Sequence, residues 1–517
     1  MAWTPQQVAV FDWLQIRTDA RALQVQARAG TGKTSTIIEG LNNADEIRNG
    51  GRVLLAAFNN RIAEELASRA PRGVTVKTLH SAGFDAVKAA WGRVGVDKDR
   101  GRRVAGAVLQ PLLPVGFAYA NSDPGDGRRR TREAAEFNAV CYAVAKLASL
   151  GKLTLTTDAP QLADLAVDFD LEIDEEWRKR GWTTPRIATF AIEAMIAAAE
   201  YSPVVDFDDM LWCPWMADLA PTRYDLVIID EAQDMNAAQL ALAIASRADD
   251  GRVLVVGDDR QCIYGFMGAN VEAFDRTRDE LGAARVPLSV TFRCPARVVA
   301  AAQIIVPDYE AAPGAQLGVV DCVAEATAVP QIRPGDFVLS RTNAGAVGAC
   351  LALLRHGTRA IVRGRDVAAS IKARVRAFKV NTIASVIAAA RTWLDLEIKR
   401  AEASNRPSVA ERATDMCETI IALAEGMVSV DAFIARIDDL FTDDPGTARV
   451  ACSTVHKSKG LEAERVWIMA KTFWPSFHVG EENIRYVAMT RALRELHFVD
   501  GPGAFLVPLR MAQSVRP

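Results

Sequence analysis

Two kinds of hydrophobic pattern run along the chain. In the first, short runs, mostly apolar, stop for the most part at glycine, acidic or hydroxyl residues. Leu23–Gln26, Tyr224–Ile229 and Arg252–Val256 are of this kind, as are Phe337–Leu339, Arg449–Cys452, Val466–Met469 and Leu496–Val499. Such runs read as buried strands. In the second, apolar residues return every three or four positions, as at Ile37, Ile38 and Leu41, at Ile383, Val386, Ile387 and Ala390, and at Ile420, Ile421, Leu423 and Ala424. These read as helices with one apolar face. Residues 89–188 are rich in Ala, Leu, Arg and Glu and are helical in composition. With 517 residues the chain is too long for a single core, so several domains are expected.

The strand candidate Leu23–Gln26 runs into Ala27-Arg28-Ala29-Gly30-Thr31-Gly32-Lys33-Thr34, and a helical pattern follows. Strand, glycine-bearing loop and helix are the context of a Walker A phosphate loop. Gly30 and Gly32 let backbone N–H groups converge on phosphate oxygens, and the helix N-terminus adds partial positive charge. Lys33 would reach the β- and γ-phosphates of ATP, and the Thr34 hydroxyl would ligate Mg²⁺. Ala27 stands at the first glycine of the pattern. The run Tyr224–Ile229 ends in Asp230-Glu231-Ala232-Gln233-Asp234. Asp230, at the strand end, is placed to hold Mg²⁺, and Glu231 to orient or deprotonate the attacking water.

After Arg252–Val256 comes Gly257-Asp258-Asp259-Arg260-Gln261-Cys262-Ile263-Tyr264-Gly265-Phe266-Met267-Gly268-Ala269. Here the sequence closely resembles the UvrD/Rep-like superfamily 1 DNA helicases, in a compact form with a short second insertion. Further strings resemble family motifs in the family's order. Thr4-Pro5-Gln6-Gln7 is similar to the adenine-reading Q motif, with Gln6 the better-registered glutamine. Ala57–Arg61 resembles motif Ia, Thr78–Phe84 motif Ib, and Asp206-Phe207-Asp208-Asp209-Met210 the DFDDL segment. Thr291–Cys294 resembles motif IV, Ser340-Arg341-Thr342-Asn343 the short RTN segment, Thr454–Glu462 motif V and Tyr486–Ala492 motif VI.

The resemblance implies an α/β fold of two RecA-like parallel-sheet motor domains of the P-loop NTPase type, each with a mainly helical insertion and with the ATP site between them. The first domain would take residues 1–88 and 189–285, with an insertion at 89–188. The second would take 286–365 and 446–517, with a short insertion at 366–445 whose reduced size puts family-type autoinhibition in doubt. The implied activity is that of a DNA-stimulated ATPase, an ATP-dependent DNA helicase or single-stranded DNA translocase moving 3′ to 5′. Two other readings stay open: an ATP-driven remodeller that displaces proteins from DNA with little unwinding, and a nucleotide-switched DNA-binding module. Catalysis would fall to Lys33, Asp230, Glu231, Gln261 (coupling the γ-phosphate to DNA) and two arginine fingers, Arg293 and Arg491. Nucleotide would be held by Gln6, residues Ala27, Arg28, Ala29, Gly30, Thr31, Gly32, Lys33 and Thr34, and by Phe292, Gly460 and Glu462. Thr34 and Asp230 would hold Mg²⁺. Phe58, Asn60, Thr78, His80, Tyr264, Phe266, Thr454 and His456 would contact DNA, the aromatic residues by stacking on bases. Single-stranded and partial duplex DNA are the implied partners, with replication or repair proteins as further candidates and a monomer or weak self-association as the implied state.

Five features depart from the family pattern or lie outside it. Ser35 stands where many relatives have an arginine covering one adenine face, and Phe292 replaces a common tyrosine. Met267 stands where relatives usually have arginine. Two basic runs, Lys98-Asp99-Arg100-Gly101-Arg102-Arg103 and Arg128-Arg129-Arg130-Thr131-Arg132, fall between motifs Ib and II. They read as solvated loops or as contacts to a nucleic-acid backbone, and sequence leaves the choice open.

Composition adds exclusions. The net charge of −3 means that any DNA-binding surface is a local stripe balanced by acid elsewhere. None of the eight cysteines forms a C-x-x-C pair, so reduced, buried thiols are expected rather than a zinc or iron–sulfur module. No apolar run is long enough to span a bilayer, and Met1–Gln6 lacks the regions of a secretion signal. A cytoplasmic location without membrane attachment is the default expectation. The few residues after motif VI carry the expectation that no C-terminal nuclease follows.

Overall fold

The computed structural model describes residues 3–17, 19–112, 132–169, 171, 178–263, 271–403, 407–443, 448–473 and 480–500. The chain divides into two compact units. The first comprises Met1–Ala27 and Lys33–Leu288, the second Arg28–Gly32 and Ser289–Pro517. The basic run 128–131 and the expected DNA-stacking residues Tyr264 and Phe266, with Met267, lie outside the described residues.

The strands of the first unit are β1 (Ala22–Ala27), β2 (Val53–Ala57), β3 (Val74–Thr78), the short pair β4 (Gly95–Val96) and β5 (Val204–Val205), β6 (Tyr224–Ile229), β7 (Arg247–Gly257) and β8 (Ala284–Leu288). Six of them form one sheet in the order β3-β2-β6-β7-β1-β8, and every pairing is parallel. Val53, Leu55, Leu226, Ile228, Leu254 and Val256 face one buried cluster. Leu54, Ala56, Val227, Ile229, Val253 and Val255 face another. Both faces are covered, which is why these strands read as mostly apolar runs. β7 begins at Arg247 rather than Arg252, because Arg247 pairs with Tyr224 ahead of a register shift.

Strand order decides where the chemistry gathers. β6, β7 and β1 are neighbours, so the loops leaving their C-terminal ends lie side by side. These loops carry the acidic string after Ile229, the string after Gly257 and the phosphate loop after Ala27.

The helices between β3 and β6 build a cluster of their own, in which Ala105, Val144, Leu147 and Ile187 pack with Val87, Met210 and Trp212. Arg252 anchors the N-terminal helix Pro5–Gln15. Its guanidinium binds Glu46 twice at 2.7 Å, donates to the Leu14 carbonyl at 2.9 Å and to the Trp13 carbonyl, and lies over the Trp13 ring. A cation on the last carbonyls of a helix favours its C-terminal dipole.

In the second unit β9 (Val290–Thr291) pairs with β10 (Glu310–Ala311). β11 (Val319–Val323), β12 (Phe337–Ser340), β13 (Ala360–Val362), β14 (Val450–Thr454), β15 (Ala463–Met469) and β16 (Ala492–Val499) form a parallel sheet in the order β11-β16-β15-β12-β14-β13. The helices Arg365–Ala377, Ile383–Ala403, Pro407–Ala424 and Val430–Leu440 share one buried cluster with this sheet. Val386, Cys417, Ile420, Phe433 and Ile437 pack in it beside Val338, Val362 and Cys452.

Among the described residues no single helix is long and apolar enough to cross a membrane. Seven cysteines are buried and free, as expected, but Cys322 is exposed because it lies on the edge strand β11.

Candidate functional site

In the first unit, Lys33 opens the helix Lys33–Asn42 directly after the phosphate loop. Its ammonium is 2.6 Å from Glu231 Oε2, and the same oxygen accepts from Gln233 Nε2 at 2.7 Å. Gln233 Oε1 accepts the Asp258 N–H at 3.0 Å, and Asp258 Oδ2 accepts from Gln261 Nε2 at 2.7 Å. A continuous polar line thus joins Lys33, Glu231, Gln233, Asp258 and Gln261. Gln26 of β1 braces it by donating to Asp259 at 2.6 Å. Gly257 leaves room for this contact, since a Cβ there would lie 2.6 Å from Gln233 Oε1.

Glu231 adopts φ +51°, a left-handed conformation that costs a non-glycine residue about 1–3 kcal/mol. Burial is the largest influence on both Lys33 and Asp230. It would lower the Lys33 pKa, but Glu231, Asp230 and Asp258 overcome it and raise the value. Burial, followed by the neighbouring Glu231, pushes Asp230 up to about 7. Asp230 Oδ1 accepts the Glu231 N–H at 2.9 Å. Its carboxylate and the Thr34 hydroxyl are hard oxygen donors. Such a pair suits Mg²⁺, which takes one or two protein oxygens beside substrate phosphates rather than a full protein cage.

Gln6 and Gln7 divide roles. Gln7 is buried, forms a capping box with Thr4 at 3.0 and 3.2 Å, and donates to Thr36 at 3.1 Å. Gln6 is half-buried one position earlier. Ser35 is exposed, and Arg69 reaches it at 3.4 Å, so a guanidinium does arrive at this point from another helix.

The second unit includes the loop segment Arg28–Gly32. Here Arg28 binds Asp308 through Nε and Nη2 at 2.9–3.1 Å. The Ala29 N–H donates to Tyr486 Oη at 2.9 Å, and the Ala29 carbonyl accepts from Tyr309 Oη at 3.0 Å. The Gly30 carbonyl accepts the Phe292 N–H at 2.9 Å. Gly30 and Gly32 have φ +71° and +79°, which L side chains rarely adopt. Arg293 pairs with Glu462 at 2.5 Å. Arg491 is buried, with Nε on the Val487 carbonyl at 2.9 Å. Burial and then the like charge of Arg293 push its pKa down to about 10. Phe292 keeps 37% of its surface exposed, and Gly460 has φ +80°.

The expected DNA contacts are spread over both units. Phe58 is half-buried just after β2, and Asn60 is exposed. Thr78 is buried and caps the helix Leu79–Trp91 by accepting the Ser81 N–H at 3.2 Å. Burial lowers the His80 pKa against the opposing pull of Asp208. Thr454 ends β14, and His456 is half-buried in the next helical turn.

Sequence reasoning gave no role to Gln233, Asp258, Tyr309 or Asp308. Gln233 and Asp258 sit inside the quoted strings, so a signal existed for them. Tyr309 and Asp308 belong to no quoted string. The basic run at 98–103 is only partly a solvated stretch, for Lys98 and Arg102 are exposed while Arg100 is buried. It opens the helix Arg100–Leu109, with Arg100 buried against Asp209, while Arg103 pairs with Asp97.

Two parallel RecA-like sheets, with these groups at the strand ends, define a chain of the P-loop class. Residues 11–281, just over half the chain, match the UvrD/REP helicase N-terminal domain, and residues 449–499 match the UvrD-like helicase C-terminal domain. The chain belongs to the UvrD/Rep helicase family. It is similar to F-box DNA helicase protein 1 of Schizosaccharomyces pombe, with 22% identity over 92% of this chain and 55% of that protein. It is also similar to DNA helicase II of Escherichia coli (28% identity, 32% of this chain, 25% of that protein). ATP-dependent DNA helicase UvrD2 of Mycobacterium tuberculosis is another relative (27% identity, 54% of this chain, 41% of that protein). The chain therefore spans about half or less of the length of these relatives.

Proposed function

We propose that this chain is an ATP-dependent DNA helicase or single-stranded DNA translocase moving 3′ to 5′, with single-stranded and partly duplex DNA as its substrates. The observation that carries the reading is the polar line from Lys33 to Gln261. It links the cation that draws in the β- and γ-phosphates to the glutamine that family resemblance couples to DNA. Lys33 and the N-terminus of its helix attract the phosphates. When Lys33 turns to a phosphate, Glu231 is released from the ion pair to orient the attacking water. Mg²⁺ held by Thr34 and Asp230 would neutralise phosphate charge. Arg293 and Arg491 supply guanidinium charge to the transition state, an effect worth about 10³–10⁵ in rate in related phosphoryl transfers. Phe58 offers a sequence-tolerant stacking face, while Thr78, His80, Thr454 and His456 serve the DNA backbone.

The test is ATP turnover with and without single-stranded DNA, followed by unwinding of partial duplexes bearing 3′ or 5′ tails. Turnover that rises with DNA, and ATP-dependent unwinding from 3′ tails, are expected. Turnover indifferent to DNA would overturn the motor reading, and unwinding from 5′ tails alone would overturn the direction. Protein displacement without strand separation would favour the remodeller.

A further inference from the structure

The segment Asp206–Met210 and the basic run 98–103 both stood out in the sequence, and the proposed function uses neither. In the structure they meet. Asp209 is fully buried at the start of the helix Asp209–Met216. One of its oxygens accepts from Arg100 Nη1 and the other from Lys152 Nζ at 2.6 Å. Arg100 and Lys152 are themselves only 5% and 3% exposed. Arg100 also donates to the Ala198 carbonyl at 3.1 Å. These partners lie on the helices Arg100–Leu109, Arg132–Thr154 and Thr184–Ala198, so the inserted helices converge on one carboxylate. Asp206 and Asp209 accept each other's backbone N–H groups at 2.8 and 3.0 Å, and the Ser149 hydroxyl donates to Asp208 at 2.5 Å.

The same segment also carries the helix that begins at Thr78 and His80. Gly83 of that helix lies so close to Met210 that a Cβ would collide with the Met210 carbonyl. Val87, one turn on, shares a buried cluster with Met210, Trp212 and the inserted helices. Asp208 supplies the charge that opposes burial at His80. Motif Ib and the insertion are therefore seated on the same few residues. The helix that follows them leads to β6 and hence to Asp230 and Glu231.

Stability alone does not call for ions here. Apolar replacement of a buried ionic triad is often neutral or stabilising, whereas charges can specify one geometry. We propose that the Arg100–Asp209–Lys152 triad, with the Ser149–Asp208 contact, is a joint that makes motif Ib and the inserted helices move as one body when DNA is gripped. These side chains are then positioning residues for DNA stimulation of ATP turnover. The inference rests on the reading of the chain as a DNA-stimulated ATPase.

The test uses the full chain and two variants: the apolar triple Arg100→Met, Lys152→Met, Asp209→Leu, and Ser149→Ala. Thermal unfolding, turnover without DNA, and turnover at saturating oligo-dT are measured for each. In the triple, turnover without DNA and the unfolding temperature should hold, while DNA stimulation falls by at least about fivefold, the lower end of ordinary coupling between sites. A folded triple that is stimulated like wild type overturns the proposal. So does a proportional loss of both rates, which would mark a simple structural staple. If the triple does not fold, Ser149→Ala decides, with stimulation down by about tenfold, the lower end for one hydrogen bond to a charged group. Unchanged stimulation in that variant overturns the joint. A wild-type chain without DNA stimulation overturns the underlying motor reading, and the joint with it; a stimulated wild type beside an equally stimulated variant overturns the joint alone.

Discussion

Replacing Asp206 by Asn should stabilise the protein at neutral pH, by an amount that depends on pH. Asp206 is only 8% exposed, and its Oδ1 accepts the Asp209 N–H at 2.8 Å, a bond that an Asn oxygen can keep. Burial, the attraction of Lys152 and the repulsion of Asp209 and Asp208 act on it in turn. The balance lifts its pKa from 3.8 to about 6. At about 1.4 kcal/mol per tenfold, the ionised folded form carries a penalty of at most about 3 kcal/mol at pH 7. Part of the gain is lost because the new amide hydrogens need partners and Lys152 loses a nearby charge, so about 1–2 kcal/mol is expected. Between about pH 4 and pH 6 folded Asp206 holds a proton that the unfolded chain has released. Its contribution is therefore most favourable below that window and falls as pH rises through it. Thermal unfolding of both proteins at about pH 4 and about pH 7.5 checks this, with the variant ahead at the higher pH and the difference shrinking at the lower. A variant less stable at neutral pH, or a gain equal at both, would refute the reasoning.

Other outcomes can be checked separately. Glu231→Gln should still bind ATP, measured by nucleotide fluorescence, while phosphate release falls by about 10²–10⁴; full turnover would remove Glu231 from its role. Arg252→Met strands the buried Glu46 and frees the carbonyls of Trp13 and Leu14. It should cost about 3–5 kcal/mol in denaturant unfolding, and a loss below about 1 kcal/mol would show that the pair is not what anchors the first helix. Raising salt should weaken DNA binding in anisotropy titrations without abolishing it, because stacking persists when phosphate contacts are screened; an affinity indifferent to salt would contradict those contacts.

What the sequence reveals depends on how local its cause is. The run Tyr224–Ile229 predicts β6 to the residue, because a strand covered on both faces is apolar along its fully buried stretch, here Leu226–Ile229. β3 escapes the same pattern, since Val74, Thr75, Val76 and Lys77 are only half-buried at the sheet edge. Lys33, Asp230 and Glu231 are legible because backbone geometry ties each to the end of its own strand. Tyr309 is not, because its hydroxyl matters only through a loop far away in the sequence. Arg100 shows the opposite hazard. In a run of like charges it looks solvated, and only the tertiary arrival of Asp209 and the Ala198 carbonyl makes burial affordable.

The second unit repeats the logic of that joint with different chemistry. Asp415, on the helix Pro407–Ala424, accepts from the Asn343 N–H at 3.1 Å, from Asn343 Nδ2 at 2.8 Å and from the Ala344 N–H at 2.8 Å. It satisfies the open N–H groups that start the helix Asn343–Arg355 and places negative charge at that helix's positive end. Two positions before Asn343, Arg341 binds the buried Glu481 at 2.9 Å, at the start of the helix that leads to Arg491. The RTN segment therefore ties the inserted helices to motif VI, as Asp206–Met210 ties them to motif Ib. Apolar contacts alone tolerate repacking among similar shapes, whereas a carboxylate shared among fixed donors admits few arrangements. Both segments are rich in polar and charged residues with no evident task in ATP chemistry. Their position between an inserted cluster and a family motif supplies a physical reason for those residue types: each sets the geometry at which added helices join the parallel-sheet core.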